Sequence, residues 1–380
     1  MRLVSVTFMT LALLACGGAV DNAEPPAPLV EFQETAKLMF LTELDVGDGA
    51  INYSRATSLN LEDEIVSVSA KGLLTVFNKH NSTVRLEKDL NIQYASAVGG
   101  DQHLYLLGTR SGEVIAIEPV SANVIWKTQV SSEVLARPVL ANKTVIVKTV
   151  DGQLTALKAD SGDKKWIYKR DVPALSVRGN SVPLVMQDKV ISALDNGKVV
   201  IVNLDSGILF WEKTITVPRG RTEIERLVDL DADLLVNNDI IYIAGFQGRI
   251  VALDLQSGEF LWSKKMSVTN NMTFEDNKLY VTDDMSHVWA LDAATGATIW
   301  KQSVFTARKL SAPVVMHDYL LTTDYQGYLH VIAKADGHQI TRLNVDNSGI
   351  NNAPIVYDDK IYLQTNNSKI YILGFEKPSL

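Results

Sequence analysis

The chain has 380 residues but only one cysteine, Cys16, and it has no run of lysine and arginine. Acidic side chains outnumber basic ones by 44 to 36, which gives a net charge of −8. Because phosphate backbones are bound by clustered cations, this balance argues against a nucleic-acid partner. It argues equally against electrostatic attachment to anionic lipid.

Sequence motifs that carry catalysis or hold metal ions are also missing. The six histidines are scattered and show no H-E-x-x-H or Cys/His spacing. There is no G-x-S-x-G, P-loop or G-x-G-x-x-G motif, and turns such as Asp358-Asp359 lack the calcium-loop pattern. We therefore predict no catalytic residue, no metal site and no cofactor, and we favour a binding protein over an enzyme.

The main apolar run outside the repeats described below lies at the N-terminus. It extends from Leu3 to Ala15 after Arg2, too short to span a bilayer, and has the layout of an export signal. Its end, Leu-Leu-Ala-Cys16, is similar to the bacterial lipobox, which implies that residues 1–15 are removed and that Cys16 carries lipid. Gly17 after the cysteine implies the outer membrane, facing the periplasm. The alternative is an ordinary signal peptide with an incidental cysteine.

Residues 16–35 are rich in Ala, Pro and Glu and are predicted to form a flexible tether.

Residues 36–376 contain an internal repeat. Its clearest copy runs from Ala290 to Trp300, with Asp292 and Gly296 in a turn before the Trp. A turn residue precedes each copy, and these turn residues are Gly72, Gly112, Gly152, Gly197, Gly248, Ser286, Gly327 and Ser368. The intervals of 40, 40, 45, 51, 38, 41 and 41 residues define eight copies.

A repeat of about 42 residues fits four short strands with tight turns. Segments such as Ile240–Ala244 are short, β-branched and aromatic, whereas no convincing amphipathic helix follows residue 35. The sequence thus predicts an all-β, eight-bladed β-propeller of four-stranded antiparallel blades. The last copy stops after its third strand, and residues 37–44 resemble the missing outer strand. We therefore expect an N-terminal strand to close the last blade.

The pattern Ala-x-Asp-x-x-Thr/Ser-Gly-x-x-x-Trp resembles the tryptophan-docking motif of quinoprotein propellers. Two subfamilies are then in competition: the PQQ-dependent dehydrogenases, and BamB, the lipoprotein subunit of the outer-membrane β-barrel assembly machinery. A chain that resembled the dehydrogenases would be longer and would have calcium ligands and a vicinal cysteine pair. This chain has no second cysteine.

Two stretches resemble the BamB family more specifically, namely residues 175–183 and 222–231. The resemblance implies a non-enzymatic scaffold that binds the periplasmic POTRA domains of the barrel insertase BamA. The residues that match the family's partner-binding positions are Leu175, Val177, Arg178, Asp229 and Asp231. Val177 departs from the family, in which leucine is usual.

Reasoning from the residues alone agrees with a binding role for these stretches but leaves alternatives open. The longest interval holds extra residues at 218–233, and long loops on a rigid scaffold often carry recognition. Arg178 offers a planar fork of donors to a partner, but it could instead pair with Glu225, Asp229 or Asp231 within the propeller. Bare blade edges could also accept unfolded outer-membrane proteins as added strands.

Overall fold

The computed structural model describes residues 24–47, 58–69, 71–92, 96–169, 181–194, 196–216, 230, 232–245 and 248–376. Every regular element in these ranges is a β-strand, and the strands form eight four-stranded antiparallel sheets. The eight-bladed propeller predicted from the repeat is therefore confirmed. Among the described residues, no helix has the length and apolarity needed to cross a membrane.

The chain begins with the strand β1 and then forms the first four blades in order. Their bounds are β1 (Lys37–Asp45); in blade 1, β2 (Leu59–Asn60), β3 (Glu64–Val68), β4 (Leu73–Asn78) and β5 (Thr83–Asp89); in blade 2, β6 (Gly99–Asp101), β7 (Leu104–Gly108), β8 (Glu113–Ile117) and β9 (Val124–Gln129); in blade 3, β10 (Val139–Ala141), β11 (Thr144–Lys148), β12 (Leu154–Lys158) and β13 (Lys164–Tyr168); in blade 4, β14 (Leu184–Met186), β15 (Lys189–Leu194), β16 (Lys198–Asn203) and β17 (Leu209–Thr214).

The remaining four blades follow in the same manner, except that the last has only three strands of its own. Their bounds are, in blade 5, β18 (Leu235–Asn237), β19 (Ile240–Ala244), β20 (Arg249–Asp254) and β21 (Phe260–Lys265); in blade 6, β22 (Thr273–Glu275), β23 (Lys278–Thr282), β24 (Val288–Asp292) and β25 (Thr298–Gln302); in blade 7, β26 (Val314–Met316), β27 (Tyr319–Thr323), β28 (Tyr328–Ala333) and β29 (Gln339–Asn344); in blade 8, β30 (Ile355–Tyr357), β31 (Lys360–Gln364) and β32 (Lys369–Glu376).

The apolar core is divided among the junctions between blades. Strands such as β11, with the sequence Thr-Val-Ile-Val-Lys, are buried along their whole length because both faces of each sheet pack against a neighbouring blade. Eight buried clusters lie in the described part of the chain, one at each junction between adjacent blades, including the junction of blade 8 with blade 1. The eight sheets therefore form a closed ring, with the first strand of each blade at the centre.

The ring closes through the N-terminal strand, as predicted. β1 pairs antiparallel with β32 from Lys37 opposite Glu376 to Asp45 opposite Lys369, with one irregularity between Phe40 and Thr42. β1 thus serves as the outer strand of blade 8. This pairing joins the two ends of the folded region and protects an edge that would otherwise be bare.

Five tryptophans lie across the gaps between neighbouring blades. The indole Nε1 of each donates to a backbone carbonyl of the next blade, in the pairs Trp126–Ala159, Trp166–Leu204, Trp211–Leu255, Trp262–Ala293 and Trp300–Lys334. The glycine of the next blade's turn has a positive φ and lies under the ring; a Cβ built at Gly162 would come within 2.6 Å of Trp126. Glycine is therefore required at this turn both by the backbone and by the close approach of the indole.

Blade 7 contains a buried ionic cluster. The side chains of Arg308, Asp324 and His330 are 2%, 0% and 1% exposed. Asp324 Oδ2 accepts from Arg308 Nε at 2.7 Å and lies 2.9 Å from His330 Nε2. His330 Nδ1 is buried without a partner in the described part of the chain, which suits a neutral ring that donates only through Nε2.

Burial lowers the pKa of His330 below 6.5, and the charges of Arg308 and Arg342 act in the same direction, whereas the bond to Asp324 opposes them. Burial alone would raise the pKa of Asp324, but hydrogen bonds from His330 and the Tyr328 amide, with the charge of Arg308, hold it below 3.8. In the folded state, both groups therefore resist protonation.

We expect the free energy of unfolding to decrease as the pH falls below about 6.5, because the unfolded chain then protonates His330 while the folded chain does not. A second decrease should begin below about 3.8, where unfolded Asp324 takes up a proton. Urea unfolding between pH 7.5 and 5 measures the first effect. A His330→Gln variant keeps a neutral donor and should reduce the slope in this range. If that variant shows an unchanged slope, His330 is not the group responsible.

Candidate functional site

All the site residues predicted from the sequence lie outside the described residues. They are Cys16, Leu175, Val177, Arg178, Asp229 and Asp231, and Glu225 lies outside as well. The structure does describe the residues at which the two predicted partner-binding stretches leave and rejoin the blades. We call these ends the stems of the candidate site: Lys169 and Ser181 for the first stretch, and Thr216 and Leu230 for the second.

The two stretches occupy equivalent places in the fold. Residues 170–180 join β13, the outer strand of blade 3, to β14, the inner strand of blade 4. Residues 217–229 and 231 belong to the corresponding connection from β17 to β18. All the blades are antiparallel and have the same strand order. Every connection from an outer strand to the next inner strand therefore leaves from the same face of the disc. The described ends of these two neighbouring connections thus lie on a common face.

The two stems that enter the following blade, Ser181 and Leu230, are buried, whereas Lys169 is exposed. Ser181 is 1% exposed, and its hydroxyl accepts from the Lys148 ammonium at 3.1 Å. Ile215 and Leu230 are 4% and 1% exposed and belong to the apolar cluster between blades 4 and 5. Fixed stems of this kind limit the positions open to the residues that they support.

A hydrogen bond links the ends of the two stretches directly. The backbone N–H of Val182 donates to Asp233 Oδ1 at 2.7 Å, although 51 residues separate them. Asn271 of blade 6 holds Asp233 from the other side, since its Nδ2 donates to Asp233 Oδ2 and its Oδ1 accepts from the Asp233 amide, both at 2.8 Å. Asp233 therefore connects three successive blades on the inner rim.

Sequence reasoning missed Asp233 and Asn271. Both stand two residues before an inner strand, at the position occupied by Val182 in blade 4 and Arg137 in blade 3. A polar residue at this recurring position is the only signal in the sequence, and it does not show which residues meet across the ring. The bonds between blades become visible only in the fold.

A cavity of about 410 Å³ opens at the centre of the ring beside the stems. Its lining includes Val182, Asp233 and Asn271, together with Arg137 and Asn352. Amides and one guanidinium can hydrogen-bond a polar ligand. Nowhere in the described ranges do three or more His, Cys, Asp or Glu side chains come together as metal ligands would.

Comparison with known proteins identifies the family. The model of the family described as "Outer membrane protein assembly factor BamB" matches residues 70–302 and 291–377, which is far more than half of the chain. The chain belongs to the BamB family. The resemblance inferred from residues 175–183 and 222–231 is thereby confirmed at the level of the family.

Curated BamB proteins match over nearly their whole length. The one from Yersinia pestis is 31% identical over 96% of this chain and 97% of its own, and the one from Escherichia coli K12 is 32% identical over 97% and 96%. Both are named "Outer membrane protein assembly factor BamB".

Solved structures show the same propeller. BamB from Moraxella catarrhalis has a TM-score of 0.80 at 22% identity and covers 89% of this chain and 100% of its own. A europium-containing methanol dehydrogenase also has a TM-score of 0.74, but at 10% identity over 89% and 93%. The likeness to the dehydrogenase therefore concerns the fold alone.

Proposed function

We propose that this BamB-family chain is a non-enzymatic scaffold subunit of the outer-membrane protein assembly machinery. In this proposal, lipid on Cys16 anchors it to the outer membrane, facing the periplasm. It binds the POTRA domains of the insertase BamA through Leu175, Val177, Arg178, Asp229 and Asp231 and so assists insertion of β-barrel proteins. The observation that carries the proposal is the bond from Val182 to Asp233, which ties together the ends of the two predicted binding stretches.

The physical case is one of preorganisation. Binding costs less ordering entropy when the contributing residues start from fixed positions. Here one end of each stretch is buried, at Ser181 and Leu230, and the adjoining Val182 and Asp233 are hydrogen-bonded, so each stretch has one fixed end on a common face. Leu175 and Val177 supply apolar surface, while Arg178 and the two aspartates supply directional polar contacts, a composition that suits the centre and rim of a protein interface.

A scaffold is favoured over a quinoprotein dehydrogenase by the names of the curated relatives, which are assembly factors. The dehydrogenases among the solved structures share the propeller at 10–12% identity. Unfolded outer-membrane proteins are the other proposed partners. The outer strands favour this role because several of them present exposed apolar side chains: Val84, Ile125, Ile167, Phe210, Leu261 and Ile299.

We expect Arg178→Ala and Asp229→Ala each to weaken binding of the isolated POTRA domains about tenfold or more, which is typical of a contact at an interface hot spot. Pull-down from detergent-solubilised membranes and titration against purified POTRA domains measure the effect. Arg110→Ala is the matched control, because Arg110 is an exposed arginine in the β7–β8 turn on the same face. It should bind like the wild type.

The melting temperature separates this proposal from the alternative of an internal ion pair. If Arg178 contacts the partner, both variants should melt normally. If Arg178 instead pairs with Asp229 inside the propeller, both should lower the melting temperature. Wild-type binding by both variants would contradict the site assignment, and the identity of the proteins recovered in the pull-down shows whether unfolded barrel proteins accompany the chain.

A further inference from the structure

The residues before β1 form an extended strap, defined here as residues 27–35, that lies along blade 7. It begins at Ala27, whose amide donates to the Thr306 carbonyl at 2.9 Å and whose carbonyl accepts from Arg308 Nη1 at 3.0 Å. It ends at Thr35, whose amide donates to the Ile340 carbonyl of β29 at 3.0 Å. Backbone groups at both ends of the strap are thus bonded to the blade.

Arg342 of β29 holds the middle of the strap. Its backbone amide donates to Glu34 Oε1 at 3.1 Å, and its Nη1 donates to the Val30 carbonyl at 3.2 Å. Its guanidinium also lies 5.3 Å from the centre of the Phe32 ring. The strap therefore has polar and stacking contacts along its length as well as at its ends.

The outer strand of blade 7 is also more buried where the strap ends, and Ile340 lies with Ala36 in the apolar cluster between blades 7 and 8. In the seven blades whose outer strand follows their third strand in sequence, that outer strand has an irregularity near its start, and the residue in it is an exposed apolar one in four of the other blades. These residues, exposed by 46–51%, are Ile125, Phe210, Leu261 and Ile299. The residue at the same position in blade 7 is Ile340, which is only 5% exposed.

The arginine that contacts Ala27 is buried inside blade 7. Arg308 is 2% exposed; its Nε bonds to Asp324, and its Nη2 donates to Gln326 Oε1 at 2.7 Å. Its remaining terminal nitrogen, Nη1, is the one that donates to the strap. The guanidinium thus bonds to the blade on two sides and to Ala27 on the third.

The strap starts on the face from which the two connections of the candidate site leave, but at another junction of the ring. Thr306 and Arg308 belong to the β25–β26 connection, which is equivalent in the fold to the two connections of the candidate site. Those two connections lie at the junctions of blades 3 with 4 and 4 with 5. The β25–β26 connection lies at the junction of blades 6 and 7, which in a ring of eight is two junctions from the nearer of the two. The chain that precedes Ala27 therefore leaves the disc at a different junction of the same face.

We propose that the strap fixes the exit of the N-terminal segment at blade 7, so that the disc is held with blade 7 nearest the lipid bilayer. This inference rests on the lipid anchor of the proposed function. Cys16 and Ala27 are 11 residues apart, which allows an extended reach of at most about 40 Å. Without the strap, the free segment would extend to β1 and the orientation of the disc would be less restricted.

The test compares two equivalent turn positions on opposite sides of the ring in the full-length lipidated chain. Ala335 in blade 7 and Asp160 in blade 3 are both exposed and occupy the same position before the turn glycine. Ala335→Cys and Asp160→Cys are labelled with a fluorophore, since the thiol of Cys16 is occupied by lipid. The proteins are bound to phosphatidylethanolamine/phosphatidylglycerol vesicles that contain a headgroup quencher. We expect quenching at residue 335 to exceed that at residue 160 at least threefold.

A variant in which the strap is released from blade 7 shows whether the strap causes the difference in quenching. Ala27→Pro, Thr35→Pro and Arg342→Ala together remove the amide bonds to Thr306 and Ile340 and the contacts of the Arg342 side chain with Val30 and Phe32. The melting temperature of this variant is measured to show that the ring remains folded. The difference between the two labels should then disappear. Equal quenching in the unaltered chain, or a difference that persists in the released variant, would overturn the proposal.

Failure of the anchor gives a different result. If none of the labelled chains binds to vesicles, the lipid anchor and the orientation that depends on it are both wrong. Binding to isolated POTRA domains does not require vesicles and would be unaffected. The orientation can therefore fail without the scaffold function failing.

Discussion

Replacing Trp126 by alanine is expected to lower the free energy of unfolding by about 3–5 kcal/mol, the usual cost of truncating a buried tryptophan. The side chain is 8% exposed and packs on Gly162 of the next blade. Its Nε1 donates to the Ala159 carbonyl at 2.9 Å. Alanine would leave a cavity between blades 2 and 3 and remove the donor to that carbonyl. Urea unfolding followed by circular dichroism measures the change in stability.

Ile125, the neighbour of Trp126 on β9, provides the matched control. It is 48% exposed, and Ile125→Ala should change stability by no more than about 0.5 kcal/mol. A Trp126→Phe variant keeps an aromatic ring but not the N–H donor and should lie between the two. Equal losses for Trp126→Ala and Ile125→Ala would show that the indole does not hold adjacent blades together.

Much of the fold could be predicted because its determinants are local and repeated. The turn glycines and the tryptophan recur at a nearly fixed spacing, so each copy supports the same interpretation. β1 could be assigned to blade 8 because the last copy lacks an outer strand and residues 37–44 supply one. Departures such as Ser82 and Ala122, which adopt φ angles of 57° and 54° where five other copies have glycine, did not obscure the count.

The contacts that organise the candidate site could not be predicted, because they join residues far apart in sequence. Asp233 resembles an ordinary residue at the start of a blade until the fold brings its carboxylate to the Val182 amide. The strap was equally hidden. Residues 27–35 have no apolar period, and their backbone bonds go to carbonyls of the blade and to the arginines Arg308 and Arg342. The sequence alone therefore indicated only a tether.

Replacing Arg308 by alanine is expected to lower the free energy of unfolding by about 3–5 kcal/mol, because removing one partner of a buried ion pair leaves the other charge uncompensated. Asp324 is 0% exposed and would retain only its hydrogen bonds to His330 and backbone amides. Gln326 and the Ala27 carbonyl would each lose a donor as well. Urea unfolding at pH 7.5, where His330 is neutral, measures the effect without a contribution from its titration.

The double variant Arg308→Met/Asp324→Asn shows whether this loss comes from the stranded charge. A neutral, well-packed replacement of both partners often costs little, so the double variant should be more stable than Arg308→Ala alone. Arg110→Ala removes an exposed arginine and should leave stability within about 0.5 kcal/mol of the wild type. If the double variant is instead less stable than Arg308→Ala, the charge of Asp324 is not what the arginine compensates. The loss would then come from packing and from the bonds to Gln326 and the strap.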